Sequence, residues 1–207
     1  MALSFEDTKN LLEKYEIPLV KGKVISSCDE AVAFAKESGF PLVLKISSPK
    51  ILHKSDISGV ILNIQNKESL SLAFDKINKL AKTKKTQILI QKQKQGIEII
   101  IGAKRDPVFG PIIMFGSGGI FVELFKDVSF RLAPITKKEA GQMIQETKGY
   151  KLLSGFRGNE KANLEKIKDI LVSASQLITK ENIKEIDLNP VIANSKETLI
   201  VDAKILK

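Results

Sequence analysis

The sequence predicts an α/β lobe over residues 1–92 and an α+β lobe over residues 93–207. Strand-like and helix-like segments alternate through the first half of the chain. In the second half, β-type segments follow one another with few helices between them. A polar stretch over residues 91–95 separates the two patterns and predicts a hinge. Because ligands commonly bind between lobes, we expect a binding cleft there.

Capping signals and hydrophobic periodicity predict the elements of the first lobe. Ser4-Phe-Glu-Asp7 and Ser27-Cys-Asp-Glu30 each predict the start of a helix, because a hydroxyl and a carboxylate three residues later satisfy free N–H groups. Apolar residues recur at helical spacing within residues 67–82. The expected helices cover residues 4–15, 27–39 and 67–82, and the expected strands cover residues 20–25, 41–46, 60–64 and 87–91.

The second lobe is predicted to consist mainly of strands. Thr136-Lys-Lys-Glu139 caps a helix that ends near residue 146, and residues 163–179 form another helix. Residues 183–204 predict a β-hairpin. The other expected strands cover residues 97–104, 111–115, 120–124 and 128–133.

Composition narrows the class of protein. The chain of 207 residues has a net charge of +9, which is spread along the sequence instead of forming a basic tail. Aromatic side chains that could stack on bases are few, so we expect no nucleic-acid partner. A single cysteine and the lack of a signal-peptide pattern favour a cytoplasmic location. The longest uncharged stretch, residues 107–122, is too short to span a membrane as a helix.

The final hairpin predicts a cluster of oxygen ligands. A turn centred at residues 195–196 places Asn189 opposite Asp202 and Asp187 opposite Lys204. Carboxylate and carboxamide oxygens suit Mg²⁺, which takes its other ligands from water and substrate phosphates. Asn189, Asp202 and Asp187 are therefore candidate metal ligands. The alternative is the plain solvent face of an amphipathic hairpin, and a register slip of one residue would separate these side chains.

Three further features favour an anionic ligand. Gly118 and Gly119 end the run Gly116-Ser-Gly-Gly, whose backbone N–H groups can approach an anion, although a simple turn is the alternative. Lys45 stands in an apolar strand, where an ammonium needs either a carboxylate or a phosphate as partner. Glu98 stands among apolar residues and can accept a ribose hydroxyl or form an internal salt bridge.

His53 is the only histidine of the chain. It stands in Ser47-Ser-Pro-Lys-Ile-Leu-His-Lys-Ser-Asp56, directly after a predicted strand. Uncharged imidazole can accept a phosphoryl group near neutral pH, and the neighbouring lysines attract phosphate. The alternative is an ordinary surface histidine.

Six motifs in order carry a resemblance to a known family. The motifs are the His53 segment, Lys104-Arg-Asp-Pro-Val-Phe-Gly-Pro111, Met114-Phe-Gly-Ser-Gly-Gly-Ile-Phe-Val-Glu123, Arg131-Leu-Ala-Pro134, Glu185-Ile-Asp-Leu-Asn-Pro-Val191 and Val201-Asp-Ala-Lys204. Together they resemble the ATP-grasp β subunit of ADP-forming acetyl-CoA synthetase (acetate–CoA ligase) over essentially the whole chain.

The resemblance implies an ATP-grasp fold that binds ATP or ADP with Mg²⁺ between its lobes. It implies the reversible reaction of acetyl-CoA, ADP and phosphate to acetate, CoA and ATP. It also implies a CoA-binding α subunit with its own phosphohistidine, in an α2β2 assembly, so the chain alone should be inactive. The competing hypotheses are another ATP-grasp ligase, such as a succinyl-CoA synthetase β-like protein, and a non-enzymatic basic interaction module.

Residue roles come from the resemblance and from the patterns above. His53 matches a catalytic phosphoryl relay. Ser58 and Lys204 depart from the family pattern, where glycine and arginine are common. The candidate nucleotide ligands are Lys45, Gln91, Glu98, Gly118, Gly119 and Glu123, and the candidate metal ligands are Asn189, Asp202 and Asp187.

Overall fold

The computed structural model describes residues 1–48, 58–119, 126–156 and 160–207. Contacts divide the chain into a small unit, Val20–Lys94, and a large unit, Met1–Leu19 with Gln95–Lys207. This grouping differs from the predicted lobe of residues 1–92 in its first residues. Leu12 and Ile17 are buried in the core of the large unit, so the first helix packs there and not in the small unit. The strand expected over residues 120–124 lies outside the described residues.

The remaining predicted elements are confirmed, with ends that shift by a few residues. One short helix, the fifth in chain order, was not predicted. The described elements are α1 (Phe5–Lys14), β1 (Gly22–Ile25), α2 (Cys28–Ser38), β2 (Leu42–Ser47), β3 (Val60–Ile64), α3 (Lys67–Lys84), β4 (Gln87–Lys92), β5 (Ile97–Asp106), β6 (Gly110–Ser117), β7 (Val128–Leu132), α4 (Lys137–Glu146), α5 (Tyr150–Leu153), α6 (Leu164–Lys180), β8 (Glu185–Ala193), β9 (Thr198–Ile200) and β10 (Ala203–Leu206).

The helices begin where side chains cap them. The hydroxyls of Ser4, Ser27 and Thr136 accept hydrogen bonds from backbone N–H groups three residues later, at 3.1, 3.2 and 3.3 Å. The cap of α3 was not predicted. There Asn66 accepts from the backbone of Ser69, and the Ser69 hydroxyl accepts from the backbone of Asn66 in return. These contacts satisfy N–H groups that have no partner within the helix.

The small unit is a four-stranded antiparallel sheet in the order β1-β4-β2-β3. Alternating strands and helices usually form a parallel sheet. Here α2 links β1 to β2, which run in the same direction on either side of β4, and α3 links β3 to β4 on either side of β2. Each helical crossover therefore spans an antiparallel strand, which explains why every pairing is antiparallel.

The large unit is a six-stranded antiparallel sheet in the order β10-β8-β5-β6-β7, with β9 beside β8. Side chains of α1, α4 and α6 pack with one face of this sheet in a single core that includes Ile101, Phe115 and Leu188. Side chains alternate along a strand, so their neighbours point to the other side. This second side, which carries Glu98 and Asp187, is called the open face below.

The two ends of the chain meet at the edge of the large sheet. Ala2 forms a bridge with Leu206, and the amino group of Met1 donates to the carbonyl of Lys207 at 2.8 Å. Both termini therefore lie beside β10. In the described part of the chain, no helix is long and apolar enough to cross a bilayer.

Candidate functional site

The small unit buries a lysine and a glutamine on one face of its sheet. Leu44 and Ile90 point into the core beneath α2 and α3. By alternation, Lys45 and Gln91 occupy the opposite face, on the neighbouring strands β2 and β4. They are only 4% and 2% exposed, respectively. The structure therefore brings these two predicted ligands to the same side of one sheet.

Gln91 leaves a polar group unsatisfied. Its Nε2 atom is buried and has no hydrogen-bond partner among the described residues. A Cβ on Gly22, in the neighbouring strand, would lie 2.6 Å from the Gln91 Cγ, so the missing side chain makes room for the glutamine. A buried N–H without an acceptor is costly. A ring nitrogen or an oxygen of a bound nucleotide would satisfy it, so the residues present fit such a ligand.

The predicted register of the final hairpin is confirmed. Asp187 pairs with Lys204, and the Asn189 N–H donates to the Asp202 carbonyl at 3.0 Å. The turn forms because the Asn194 Oδ1 accepts from two backbone N–H groups, those of residues 196 and 197, both at 2.9 Å. This local geometry explains why the turn could be placed from the sequence.

The final hairpin carries the three predicted metal ligands. Leu188 is fully buried and Ala203 packs against the core. Asn189, the next residue of β8, is exposed and lies on the open face with Asp187. Asp202 lies between β9 and β10, half-buried, and is joined to Asn189 through the backbone hydrogen bond. No set of three or more acidic, histidine or cysteine side chains suited to a metal was found within the described ranges. One or two carboxylates with a carboxamide nevertheless fit Mg²⁺, since phosphates and water complete its shell.

Glu98 lies beneath the two glycines. A Cβ on Gly118 would lie 2.6 Å from the backbone carbon of Glu98, so only glycine permits this close approach. Gly119 has φ +63°, which also favours glycine, and the position of its Cβ would be 3.7 Å from the Glu98 Oε2. The glycines thus bring the backbone onto Glu98, which is itself exposed.

The expected anion cradle of this run needs a correction. The N–H of Ser117 donates to the Asp127 carbonyl at 3.2 Å, and the N–H of Gly118 donates to the Glu98 carbonyl at 2.9 Å. Both donors are already used within the protein. Gly118 therefore serves close packing on Glu98, and its own N–H is not directed to a ligand.

The other candidates lie outside the described residues or only border them. His53 and Glu123 both lie outside those residues, so their roles stay predictions. Ser58, which replaces a common glycine, has φ +54°. Glycine adopts this backbone region more readily than serine does. The buried carboxylate of Asp127 was not predicted, because its hydrogen-bond partners Ser117, Lys148 and Gly149 are distant in sequence.

Comparison with known proteins decides the family. The ATP-grasp domain family matches residues 1–206. The chain belongs to the ATP-grasp family. The predicted fold is thereby confirmed, with helices on antiparallel sheets.

The most similar relatives come in two lengths. The chain is 45% identical to the β subunit of ADP-forming acetate–CoA ligase I from Pyrococcus furiosus, over 97% of this chain and 89% of the relative. It is also 41% identical to ADP-forming acetate–CoA ligase II from Archaeoglobus fulgidus, over 100% of this chain but only 30% of that relative. The same region therefore occurs both as a separate subunit and within a longer polypeptide.

A solved structure extends the likeness. It is the dinucleotide forming acetyl-coenzyme A synthetase 1 of Ca. Korarchaeum cryptofilum, at 46% identity and a TM-score of 0.84, covering 99% of this chain and 91% of the other. That protein was solved with coenzyme A and Mg-AMPPCP, with its phosphohistidine segment pointing towards the nucleotide binding site.

Proposed function

We propose that this chain is the nucleotide-binding β subunit of an ADP-forming acetate–CoA ligase. The reaction is reversible and converts acetyl-CoA, ADP and phosphate into acetate, CoA and ATP. The observation that carries the proposal is the 45% identity to such a subunit over nearly the full length of both chains. The same match favours a ligase over a basic interaction module. The small and large units are proposed as the two lobes of the ATP-grasp fold.

The small unit is proposed to supply charge and one hydrogen bond to the nucleotide. Lys45 places an ammonium group on a buried sheet face, where an interaction with phosphate is stronger than in water. The buried N–H of Gln91 offers a donor that no described protein group uses. Positioning and charge neutralisation provide most of the catalysis in phosphoryl transfer, so these contacts serve the reaction directly.

The large unit is proposed to hold the ribose and the metal. Glu98 would accept a hydroxyl of the ribose, beside Gly118 and Gly119. Asn189 and Asp202 would hold Mg²⁺, which neutralises phosphate charge when bound. Asp187 is the less favoured metal ligand, because it lies directly opposite the ammonium-bearing Lys204.

His53 is proposed to relay the phosphoryl group. The imidazole of His53 attacks the phosphorus of the partner's phosphohistidine, so one P–N bond forms while another breaks. A terminal oxygen of ADP then attacks the same phosphorus, and the P–N bond to His53 is replaced by a P–O bond in ATP. Replacing this imidazole should stop transfer without removing any contact to ADP.

The His53→Ala variant tests the relay. With the CoA-binding subunit present, we expect ATP formation from acetyl-CoA, ADP and phosphate to fall by at least about a hundredfold, since a nucleophile is lost. Binding of MgADP, measured by calorimetry, should stay within about twofold of the wild type. Wild-type rates of ATP formation in the variant would reject the relay.

The partner is proposed to be a CoA-binding α subunit, in an α2β2 assembly. Its support is that the Pyrococcus relative is itself a β subunit, and that the Archaeoglobus relative is about three times as long as this region. We also propose a cytoplasmic location, which the single cysteine supports.

Reconstitution tests the whole proposal. The purified chain alone should bind MgADP and form no ATP from acetyl-CoA and phosphate. Addition of the CoA-binding subunit should restore ATP formation, and gel filtration of the mixture should give the mass of the assembly. A chain that binds no MgADP, by calorimetry at high micromolar protein concentration, would overturn the assignment.

A further inference from the structure

A buried carboxylate lies next to the proposed ribose site. Asp127 is 7% exposed and accepts three hydrogen bonds. Its Oδ1 accepts from the backbone of Lys148 at 2.7 Å. Its Oδ2 accepts from the backbone of Gly149 at 2.9 Å and from the hydroxyl of Ser117 at 2.5 Å. One side chain thus connects the start of β7, the end of β6 and the turn before α5.

These donors keep Asp127 ionised. Burial is the largest single influence and raises the pKa of the carboxyl group. The hydrogen bonds from Ser117 and from the backbone of Lys148 and Gly149, together with the positive charge of Lys148, lower the pKa and outweigh the effect of burial. The net pKa of Asp127 lies below its ordinary value, so the group accepts hydrogen bonds as a carboxylate at neutral pH.

Ser117 connects Asp127 to the glycines that contact Glu98. Its hydroxyl and its N–H both bond to Asp127, the latter through the backbone carbonyl at 3.2 Å. A Cβ on Gly149 would lie 1.9 Å from the Ser117 Oγ, so the serine is tightly enclosed on that side. The next residue, Gly118, bonds to the Glu98 carbonyl at 2.9 Å and packs on its backbone. The contacts from Asp127 to Glu98 are therefore continuous.

We propose that Asp127 and Ser117 are positioning residues for ribose recognition. They hold Gly118 and Gly119 over Glu98 and so fix the direction of its carboxylate. This inference rests on the proposed function, because it needs Glu98 to accept a ribose hydroxyl. Neither Asp127 nor Ser117 touches the nucleotide in this arrangement, and both act through Glu98.

A nucleotide analogue that lacks the ribose hydroxyls distinguishes a positioning role from a general effect on stability. Wild-type protein should bind MgADP about tenfold more tightly than the magnesium complex of 2′,3′-dideoxy-ADP, since a hydrogen bond to a charged group is lost in the analogue. In Ser117→Ala and Asp127→Asn, that ratio should fall to about twofold or less, mainly through weaker binding of MgADP. A purely structural role would weaken both ligands equally and leave the ratio unchanged.

The chain offers a matched control. Ser129 is 5% exposed, and its hydroxyl donates to the Glu146 Oε2 at 2.5 Å, so it forms the same kind of bond as Ser117. It lies on β7 but connects to α4 and not to the glycine run. Ser129→Ala should lower the melting temperature about as much as Ser117→Ala and keep the wild-type ratio of affinities. If Asp127→Asn does not fold, Ser117→Ala alone carries the comparison.

The outcomes are distinct. If folded Ser117→Ala still prefers MgADP to the dideoxy analogue as strongly as the wild type does, the positioning role is overturned while the proposed function stands. A wild type that binds both nucleotides equally removes the ribose contact of Glu98, and the positioning role with it. A wild type that binds no MgADP overturns the proposed function itself. If Ser129→Ala also lowers the ratio of the affinities for MgADP and the dideoxy analogue, then any weakening of β7 lowers that ratio. This result would also reject the positioning role.

Discussion

The candidate ligands differ in solvent exposure between the two units. In the small unit, Lys45 and Gln91 are almost fully buried on a sheet face, although both are polar. In the large unit, Glu98 and Asn189 are exposed at the open face of a sheet whose other face forms the core. A buried polar ligand loses solvation, and each interaction it gains with a nucleotide is stronger for that reason. The small unit should therefore contribute more affinity per residue.

The largest effect is expected for Lys45→Met. Loss of a buried ammonium should weaken MgADP binding by about a hundredfold, since charged hydrogen bonds are among the strongest. Lys23→Met is the matched control, because Lys23 is an exposed lysine of the same sheet. Calorimetry compares the two variants. Similar loss in both would show that net charge, and not the buried position, attracts the nucleotide.

A smaller effect is expected for Asp202→Asn. MgADP should bind about tenfold more weakly, while ADP measured in excess chelator should be unaffected, because the carboxylate acts through the metal. Glu185→Gln serves as control, since it removes an exposed carboxylate from the same hairpin. Equal affinity of Asp202→Asn and wild type for MgADP would remove the metal assignment.

Gln91→Met should change two properties in opposite directions. Removing a buried, unsatisfied N–H should raise the free energy of unfolding by about 1 kcal/mol, and nucleotide affinity should fall by about fivefold. Gln93→Met is the control, because both polar atoms of Gln93 bond to Asn63 at 2.7 Å. That variant should lose stability. Denaturant unfolding and calorimetry measure both effects, and a destabilised Gln91→Met would indicate that the amide has a partner without nucleotide.

The smallest effect is expected for Ser58→Gly. Relief of the strain at φ +54° should raise the free energy of unfolding by about 0.5–1 kcal/mol. Ser58→Ala keeps the strain and should show no gain. Thermal unfolding of the two variants provides the measurement. A lower melting temperature for the glycine variant would mean that the serine side chain makes a stabilising contact.

Features with local causes were predictable from the sequence. The register of the final hairpin depends on one turn, in which Asn194 bonds to its neighbours, and on the alternation of exposed and buried residues over the first five residues of β8. Both are encoded within a dozen residues, so Asn189 and Asp202 could be paired in advance. The caps at Ser4, Ser27 and Thr136 are local for the same reason.

Features with distant causes were not predictable. The amphipathic pattern of α1 identifies a buried side but not which sheet receives Leu12. The Gly118 N–H appeared available for an anion, because its acceptor, Glu98, is far away in sequence. Asp127 resembled any polar residue between strands, since its donors Lys148 and Gly149 belong to a later segment. Contacts of this kind depend on tertiary packing, which no short pattern encodes.

The meeting of both termini beside β10 has a consequence for how such a region joins others. Whether a neighbouring domain is linked before Met1 or after Lys207, the linker leaves from the same sheet edge. A domain fused to either terminus therefore lies near the same edge of the large sheet, and its linker need not cross the fold. One architecture can thus serve equally as a free-standing subunit and as a segment of a longer polypeptide.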